Sequence, residues 1–235
     1  MGQIYLVRHG QASFGSADYD QLSALGTEQA RLLGQWFANA RQGFHCVVTG
    51  AMRRHKQTAD ACLAQLPKML LADTDWQTDA GFDEFDHHEV LLKHHPEFAD
   101  PLAFQPFMVP GGEGERAFRG IFEVAMARWM GGAHDAEYGE SWPAFRARCV
   151  AALQRLTAQA APGQNIVVFT SGGTIATLCQ HILGLPDAQL FELTASLVNA
   201  SVTRLEYRSD KVGLSYLNNF AHLEWLGEAG AVTYR

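Results

Sequence analysis

The run Ile166-Val167-Val168-Phe169-Thr170 narrows what this chain can become more than any other stretch. Side chains alternate between the two faces of a strand, so four consecutive apolar residues make both faces apolar. Such a strand needs cover on both sides, which is the situation inside a parallel sheet. The run ends at Ser171-Gly172-Gly173 and passes without a linker into an apolar helix through Leu183, with Gly184 as its stop. A buried strand feeding straight into a helix is the half-unit of an α/β fold.

The same unit recurs along the chain. Ile4–Val7 reads as a short buried strand. Residues 23–40 place Leu25, Leu32, Leu33, Trp36, Phe37 and Ala40 along one side of a helix, with Ser23 as its N-cap. Cys46–Thr49 reads as a second strand, followed through Gly50 by a helical pattern from about Met52 to Leu66. Met69-Leu70-Leu71 is a candidate third strand. Ser201–Tyr207 and Gly213–Leu217, separated by Ser209-Asp210-Lys211, read as a hairpin. The expectation is an α/β three-layer sandwich with a mostly parallel central sheet, a single domain over residues 1–235. Residues 86–137, rich in His, Phe, Pro and Gly, interrupt the rhythm and read as a largely helical insertion capping one end of the sheet.

Composition trims the functions. The net charge is −7 without a block of like charges, which argues against nucleic acid as a partner but leaves room for small anions at a local cluster of arginines. Cys46, Cys62, Cys149 and Cys179 are scattered and lack metal or disulfide spacing. With no signal segment and no apolar run long enough to span a bilayer, a cytoplasmic protein without membrane contact is the default. Trp225 and Tyr234 leave a homodimer open; other aromatics, including Trp36, Trp129 and Trp142, are expected to pack in the core or cap.

In a doubly wound sheet, ligands sit beyond the carboxyl ends of the strands. Three such ends carry chemistry here. The first delivers Arg8-His9-Gly10, the second the Arg53-Arg54 pair on a helix's first turn, and the strand ending at Thr170 delivers Ser171-Gly172-Gly173 at a helix start. Helix N-termini attract anions, and guanidinium offers planar donors suited to phosphate. A neutral imidazole among such groups is a nucleophile suited to phosphorus.

These residues resemble the histidine phosphatase (phosphoglycerate mutase-like) superfamily. Arg8-His9-Gly10 is similar to its Arg-His-Gly signature, and "LSALGTEQA" (Leu22–Ala30) resembles its Leu-Thr/Ser-x-x-Gly-x-x-Gln-Ala helix start. "TGAMRRHKQTA" (Thr49–Ala59) resembles Ser-Ser-Pro-Leu-x-Arg-x-x-Gln-Thr-Ala, aligning Arg54 with the phosphate-binding arginine. "GFDEFD" (Gly81–Asp86) resembles the segment bearing the acidic residue, aligning Glu84, while "GESWPAFRARC" and "LVNASVTRLEY" look like the later helix and strand. The resemblance implies a phosphomonoester hydrolase. His9 would attack phosphorus and form a phosphohistidine, Arg8 and Arg54 would hold the phosphoryl oxygens, and Glu84 would serve as general acid, then base. No metal or other cofactor is implied; the partner would be a small phosphorylated substrate or inorganic phosphate. Asp86-His87-His88-Glu89 is a poor metal set, because adjacent histidines converge badly.

The chain departs from the family pattern at three places. Ser171 stands where the family has its second histidine, removing a fixed donor from the phosphate, although the hydroxyl and the following glycines remain. Ser171 is also a good N-cap in its own right. His222, His87 and His88 are the alternative histidines. Gly50-Ala51 replaces Ser-Pro, and Gly15 stands where the mutase branch often has asparagine. Two rivals follow: a mutase-type phosphotransferase, and a degenerate member that binds a phospho-ligand without turnover. Substrate preference is expected to reside in the insertion.

Overall fold

The computed structural model describes residues 1–13, 20–72, 76–100, 102, 103, 107, 112–208, 211–225 and 230–234. Its centre is a six-stranded sheet built from β1 (Gly2–Arg8), β2 (Cys46–Thr49), β3 (Gln77–Thr78), β4 (Asn165–Thr170), β5 (Val202–Arg208) and β6 (Lys211–Asn219). The strand order is β3-β2-β4-β1-β5-β6. The first four run parallel, whereas β5 is antiparallel to β1, and β6 to β5. The expected mixed α/β architecture with a mostly parallel sheet is what the chain forms.

β4 lies between β1 and β2, and Ile166, Val167, Val168 and Phe169 are all buried, as a strand apolar on both faces requires. Its neighbours end level with it: Arg8 pairs with Thr170, and Thr49 with Phe169. Three carboxyl ends therefore open side by side.

One face of the sheet, carrying Tyr5, Val7, Val47, Val167 and Phe169, packs with Leu33 and Phe37 of α1 (Ala24–Asn39) and Ala59, Cys62 and Leu63 of α2 (Arg53–Leu63). The two helices meet so closely that a Cβ on Gly34 would lie 2.0 Å from the Cys62 carbonyl oxygen. Ile4, Leu6, Ile166 and Val168 point the other way and are equally buried. α6 (Gly172–Leu183) follows β4 directly and ends as expected at Gly184, whose φ of 66° is the left-handed region glycine enters at little cost.

The chain forms two compact units: Met1–Asp83 together with Cys149–Arg235, and Glu84–Arg148. The second holds α3 (His87–His94) and α4 (Glu113–Met130), and the first part of α5 (Trp142–Gln159). Its core is aromatic: Phe85 stacks on Trp129 at 4.8 Å between centroids, and Phe145 and Trp142 close around them. In the first unit, α7 (Leu190–Ser196) precedes β5, and α8 (Ala221–Glu224) follows β6.

Some expectations need correction. Met69-Leu70-Leu71 is no strand: Lys68–Leu70 is a 3-10 turn, and Leu71 makes a single parallel bridge to Phe44. Pro67 before it fixes φ and favours the turn, while the real third strand is the short, exposed pair Gln77-Thr78, with no apolar pattern to betray it. Trp36 is 41% exposed rather than core, whereas Trp129 and Trp142 are buried. The β5–β6 hairpin forms, longer at its tip than its apolar pattern suggests by one residue on β5 and two on β6. Gly15, Ser209 and Asp210 lie outside the described residues. Among the described residues, no helix is long and apolar enough to cross a membrane.

Candidate active site

β1 ends by placing Arg8 and His9 at the middle of the sheet. The His9 N–H donates to the Thr170 carbonyl at 2.9 Å, continuing the β1–β4 ladder one residue past the strand. Its own carbonyl accepts from Ala200 N–H and from the Asn199 side-chain amide, each at 3.2 Å. Ala200 holds this position at a φ of 59°, unusual for a residue with a Cβ. The "VNAS" stretch before β5 thus has a site-building purpose that its composition concealed.

The His9 ring is oriented by its own neighbour. Nδ1 lies 2.7 Å from the Gly10 carbonyl oxygen. A carbonyl only accepts, so Nδ1 carries the proton and Nε2 keeps its lone pair. Gly10 is required because α1 crosses closely: a Cβ there would lie 2.2 Å from the Gly26 carbonyl oxygen. The Gly10 N–H donates to Thr58 Oγ1 at 3.1 Å, and the Thr58 hydroxyl donates to the Arg54 carbonyl at 2.7 Å. This ties the turn after β1 to the first turns of α2.

Arg8 and Arg54 are both buried. The Arg8 guanidinium donates to the carbonyls of Leu197 and Tyr234 and lies against Gly172 at the start of α6, where a Cβ would sit 3.3 Å from Nε. Arg54 comes from the first turn of α2, and its Nη1 meets Asp20 Oδ1 at 2.9 Å. The second Asp20 oxygen accepts from the Arg53 N–H at 2.9 Å. The phosphate-binding arginine expected from the sequence therefore faces a half-exposed carboxylate.

Ser171 stands at the N-cap position of α6, but its side chain makes no capping hydrogen bond. Instead, its Oγ lies 2.7 Å from His55 Nε2. Ser171 thus occupies the expected N-cap position without its side chain serving as the cap. His55 was missed from sequence. Its ring is fully buried, 5.9 Å between centroids from His9, with Nδ1 3.7 Å from Asp83 Oδ1. A signal for it existed: His55 directly follows Arg54 on the first turn of a helix rooted at a strand end, inside a block already quoted. The histidines considered instead are carried by other elements. His222 is on α8, which packs against α1, and its Nε2 has no hydrogen-bond partner among the described residues. His87 and His88 begin α3 in the Glu84–Arg148 unit.

The segment bearing the acidic residues is anchored at its first end. Thr170 Oγ1 donates to the Phe82 carbonyl at 2.5 Å, and Thr174 Oγ1 to the Asp83 carbonyl at 2.9 Å. Asp83 Oδ1 accepts from the Ala51 N–H at 2.6 Å, just ahead of α2. Glu84 follows Asp83 in the chain and belongs to the other unit, where its Oε1 accepts from the Phe85 N–H at 3.3 Å.

Electrostatics keep the two clustered histidines neutral. Burial pushes the His9 pKa well below the usual histidine range, and Arg54, Arg8 and His55 push it further, against the Gly10 hydrogen bond. His55 is lowered likewise, by burial first and Arg54 second. The result is a neutral imidazole beside two guanidinium groups at the N-terminus of a helix, an arrangement that attracts an oxyanion and offers it a nucleophile.

Three comparisons bear on this geometry. A sequence profile described as "Histidine phosphatase superfamily (branch 1)" matches residues 4–220. The mitochondrial serine/threonine-protein phosphatase PGAM5 of Xenopus laevis is 28% identical over 117 residues, covering 42% of this chain and 42% of that protein. Its Caenorhabditis briggsae counterpart is 32% identical over 97 residues, covering 40% and 34%. The matched chain thus spans less than half the length of these relatives. Among solved structures, phosphoglycerate mutase from Bacillus anthracis superposes with a TM-score of 0.65 at 19% identity, covering 97% of each chain. Phosphoserine phosphatase from Entamoeba histolytica superposes at 0.64 and 18% identity, covering 95% of this chain and 100% of that one.

Proposed function

The chain belongs to the histidine phosphatase superfamily, branch 1, and from that premise we propose that it is a phosphomonoester hydrolase acting through a phosphohistidine at His9. The observation that carries this reading is the His9 ring itself: Nδ1–H is held by the Gly10 carbonyl, so Nε2 presents a lone pair beside Arg8 and Arg54. A protein that merely held phosphate would have no use for a neutral, oriented imidazole there.

In the proposed reaction, Nε2 of His9 bonds to phosphorus as the ester P–O bond breaks. The guanidinium groups of Arg8 and Arg54 take the charge that spreads over the phosphoryl oxygens. Glu84, as the carboxylic acid, gives its proton to the departing oxygen. Water then attacks phosphorus, the P–N bond breaks, and the Glu84 carboxylate takes the proton from that water. Inorganic phosphate leaves, and His9 returns to its neutral form. The Gly10 carbonyl holds the Nδ1 proton throughout, which steadies the positive phosphoimidazole between the two halves. The arginines supply the positive charge, so no metal or other cofactor enters this scheme.

The substrate is proposed to be a small phosphorylated molecule. The names of similar proteins include a serine/threonine-protein phosphatase and a phosphoserine phosphatase, and a preference among such substrates is proposed to reside in the insertion, residues 86–137. A cytoplasmic location is proposed from the four free thiols, which suit a reducing compartment.

Hydrolysis of a generic aryl phosphate across pH 5–8 tests the reading. Wild type should turn over, vanadate should inhibit, and His9→Ala should lose at least about a thousandfold in kcat/KM, because the nucleophile itself is gone. Turnover that survives His9→Ala would remove the phosphohistidine. A wild type that binds phosphate but hydrolyses nothing would return the chain to the degenerate, ligand-binding alternative.

A further inference from the structure

Two of the places where this chain departs from its family pattern, Gly50 and Ser171, touch one and the same side chain. His55 Nε2 lies 2.7 Å from Ser171 Oγ. On its other edge, Nδ1 faces Asp83 Oδ1 at 3.7 Å. That edge fits only because residue 50 has no side chain: a Cβ on Gly50 would lie 2.2 Å from His55 Nδ1 and 2.6 Å from Asp83 Oδ1. The backbone has been cleared for a buried imidazole lying between a carboxylate and a hydroxyl. The hydroxyl is the one that begins α6, next to the strand end carrying His9.

We infer that His55 is a positioning residue of the phosphoryl site, which takes up a proton when the anion binds and thereby turns Ser171 into a donor to it. The inference rests on the site assigned above. In the free protein, the carboxylate facing Nδ1 favours the tautomer with its proton there, leaving Nε2 to accept the Ser171 hydroxyl. Ser171 then has no proton to offer a ligand. When a phosphoryl dianion enters, one proton from solvent goes to His55. Nε2–H now donates to Ser171 Oγ, and the Ser171 O–H turns to a phosphoryl oxygen. The one covalent change is the new N–H bond at Nε2, formed with the solvent proton, and the site gains one positive charge against the dianion's two negative ones.

The charged and titratable groups facing His55 bear on this balance. Arg54, on its own helix, opposes protonation, as does burial. His9, at the end of β1, is neutral and 5.9 Å away between ring centroids. Asp83, from the segment after β3, favours protonation, and its Oδ1 is fixed by the Ala51 N–H. The free site is thus poised on the neutral side, and an incoming dianion is the missing term on the other. A buried histidine serving only as packing would need neither the carboxylate nor the cleared Cβ.

The test measures protons rather than activity alone. Calorimetric titration with inorganic phosphate at pH 7.5, in two buffers of different ionisation enthalpy, gives the protons taken up on binding. Wild type is expected to take up about one proton more than His55→Gln, which keeps an amide for Ser171 but cannot be protonated. Ser171→Ala, a small change that breaks the relay at its other member, should lose the same uptake. In parallel, kcat on an aryl phosphate should fall roughly a hundredfold in each variant, with KM changing far less. His55→Ala combined with Ser171→His, which returns the imidazole to the α6 position, should recover most of that loss. Uptake unchanged in either single variant, or a wild type that binds no phosphate, overturns the inference. Should the wild type show the uptake but no His9-dependent hydrolysis, the relay stands and the catalytic reading falls.

Discussion

Arg54 shows how one residue's partner can tune a site. Its guanidinium is buried, yet it meets the Asp20 carboxylate, which is 43% exposed. An ion pair with one partner this wet contributes at most about 1 kcal/mol. A phosphoryl group seeking the same donors must displace it. Asp20→Asn is therefore expected to lower KM for an aryl phosphate by up to about fivefold at constant kcat, since 1 kcal/mol is about fivefold in a binding constant. Steady-state kinetics at fixed ionic strength would decide. A KM that is unchanged or higher would mean that Asp20 holds Arg54 in place rather than competing for it. Which carboxylate lies opposite Arg54 could not be read from the sequence, because Asp20 precedes α1 whereas Arg54 stands on the first turn of α2. Arg54 itself was legible, because its position is fixed by the spacing from Gln57-Thr58-Ala59, and Thr58 indeed ties the turn of His9 to the helix.

At the scale of elements, the α1–α2 contact decides where that machinery sits. The sequence suggests an apolar stripe through Leu25, Leu32, Leu33, Trp36, Phe37 and Ala40; the buried side of α1 keeps Leu33 and Phe37 of these and adds Gly26, Gln29, Ala30 and Gly34. A pattern search reads glycine and glutamine as gaps in an apolar stripe. Here they are the contact itself. Gly34 lets the Cys62 carbonyl approach, and Gln29 accepts from the Gln11 N–H while donating to the Ala231 carbonyl. Gly34→Ala forces backbone against a new methyl at 2.0 Å. It is expected to destabilise the fold by about 1–3 kcal/mol. Because α2 carries Arg54 and His55, kcat/KM should fall as well, even where the protein remains folded. Urea denaturation beside kinetics at low temperature checks both. A variant as stable as wild type would show that the helices can slide apart without cost.

Across the molecule, three histidines among the described residues are buried without charge: His9 and His55 at the site, and His222 on α8. Burial lowers His222 to about 4. Each is depressed on folding, so the unfolded chain binds protons below about pH 6.5 that the native state refuses. Stability from these groups is complete above that pH and drains away as pH falls, for His222 until about 4. Each contributes a slope of up to about 1.4 kcal/mol per pH unit. Urea midpoints between pH 7.5 and 5 should fall accordingly, and His222→Gln should flatten the curve by one such share. Equal slopes for wild type and His222→Gln would mean that His222 is protonated in the native state.

The sequence by itself determined the parallel sheet, the strand ends that carry Arg8, His9, Arg54 and Ser171, and the family. These follow from short-range patterns: apolar runs, glycines at turns, and fixed spacings within one helix start. Only the tertiary structure decided what completes the site. His55 and Ser171 are 116 residues apart in the chain, and Gly50 looks like a plain turn residue until the space it leaves is seen to be filled by an imidazole. Contacts of that kind depend on which strand lies beside which. β4 inserts between β1 and β2, and no local pattern states that order. The absence of a histidine at one strand end was legible as a local change; the imidazole that meets Ser171 from the neighbouring helix is a property of the packing.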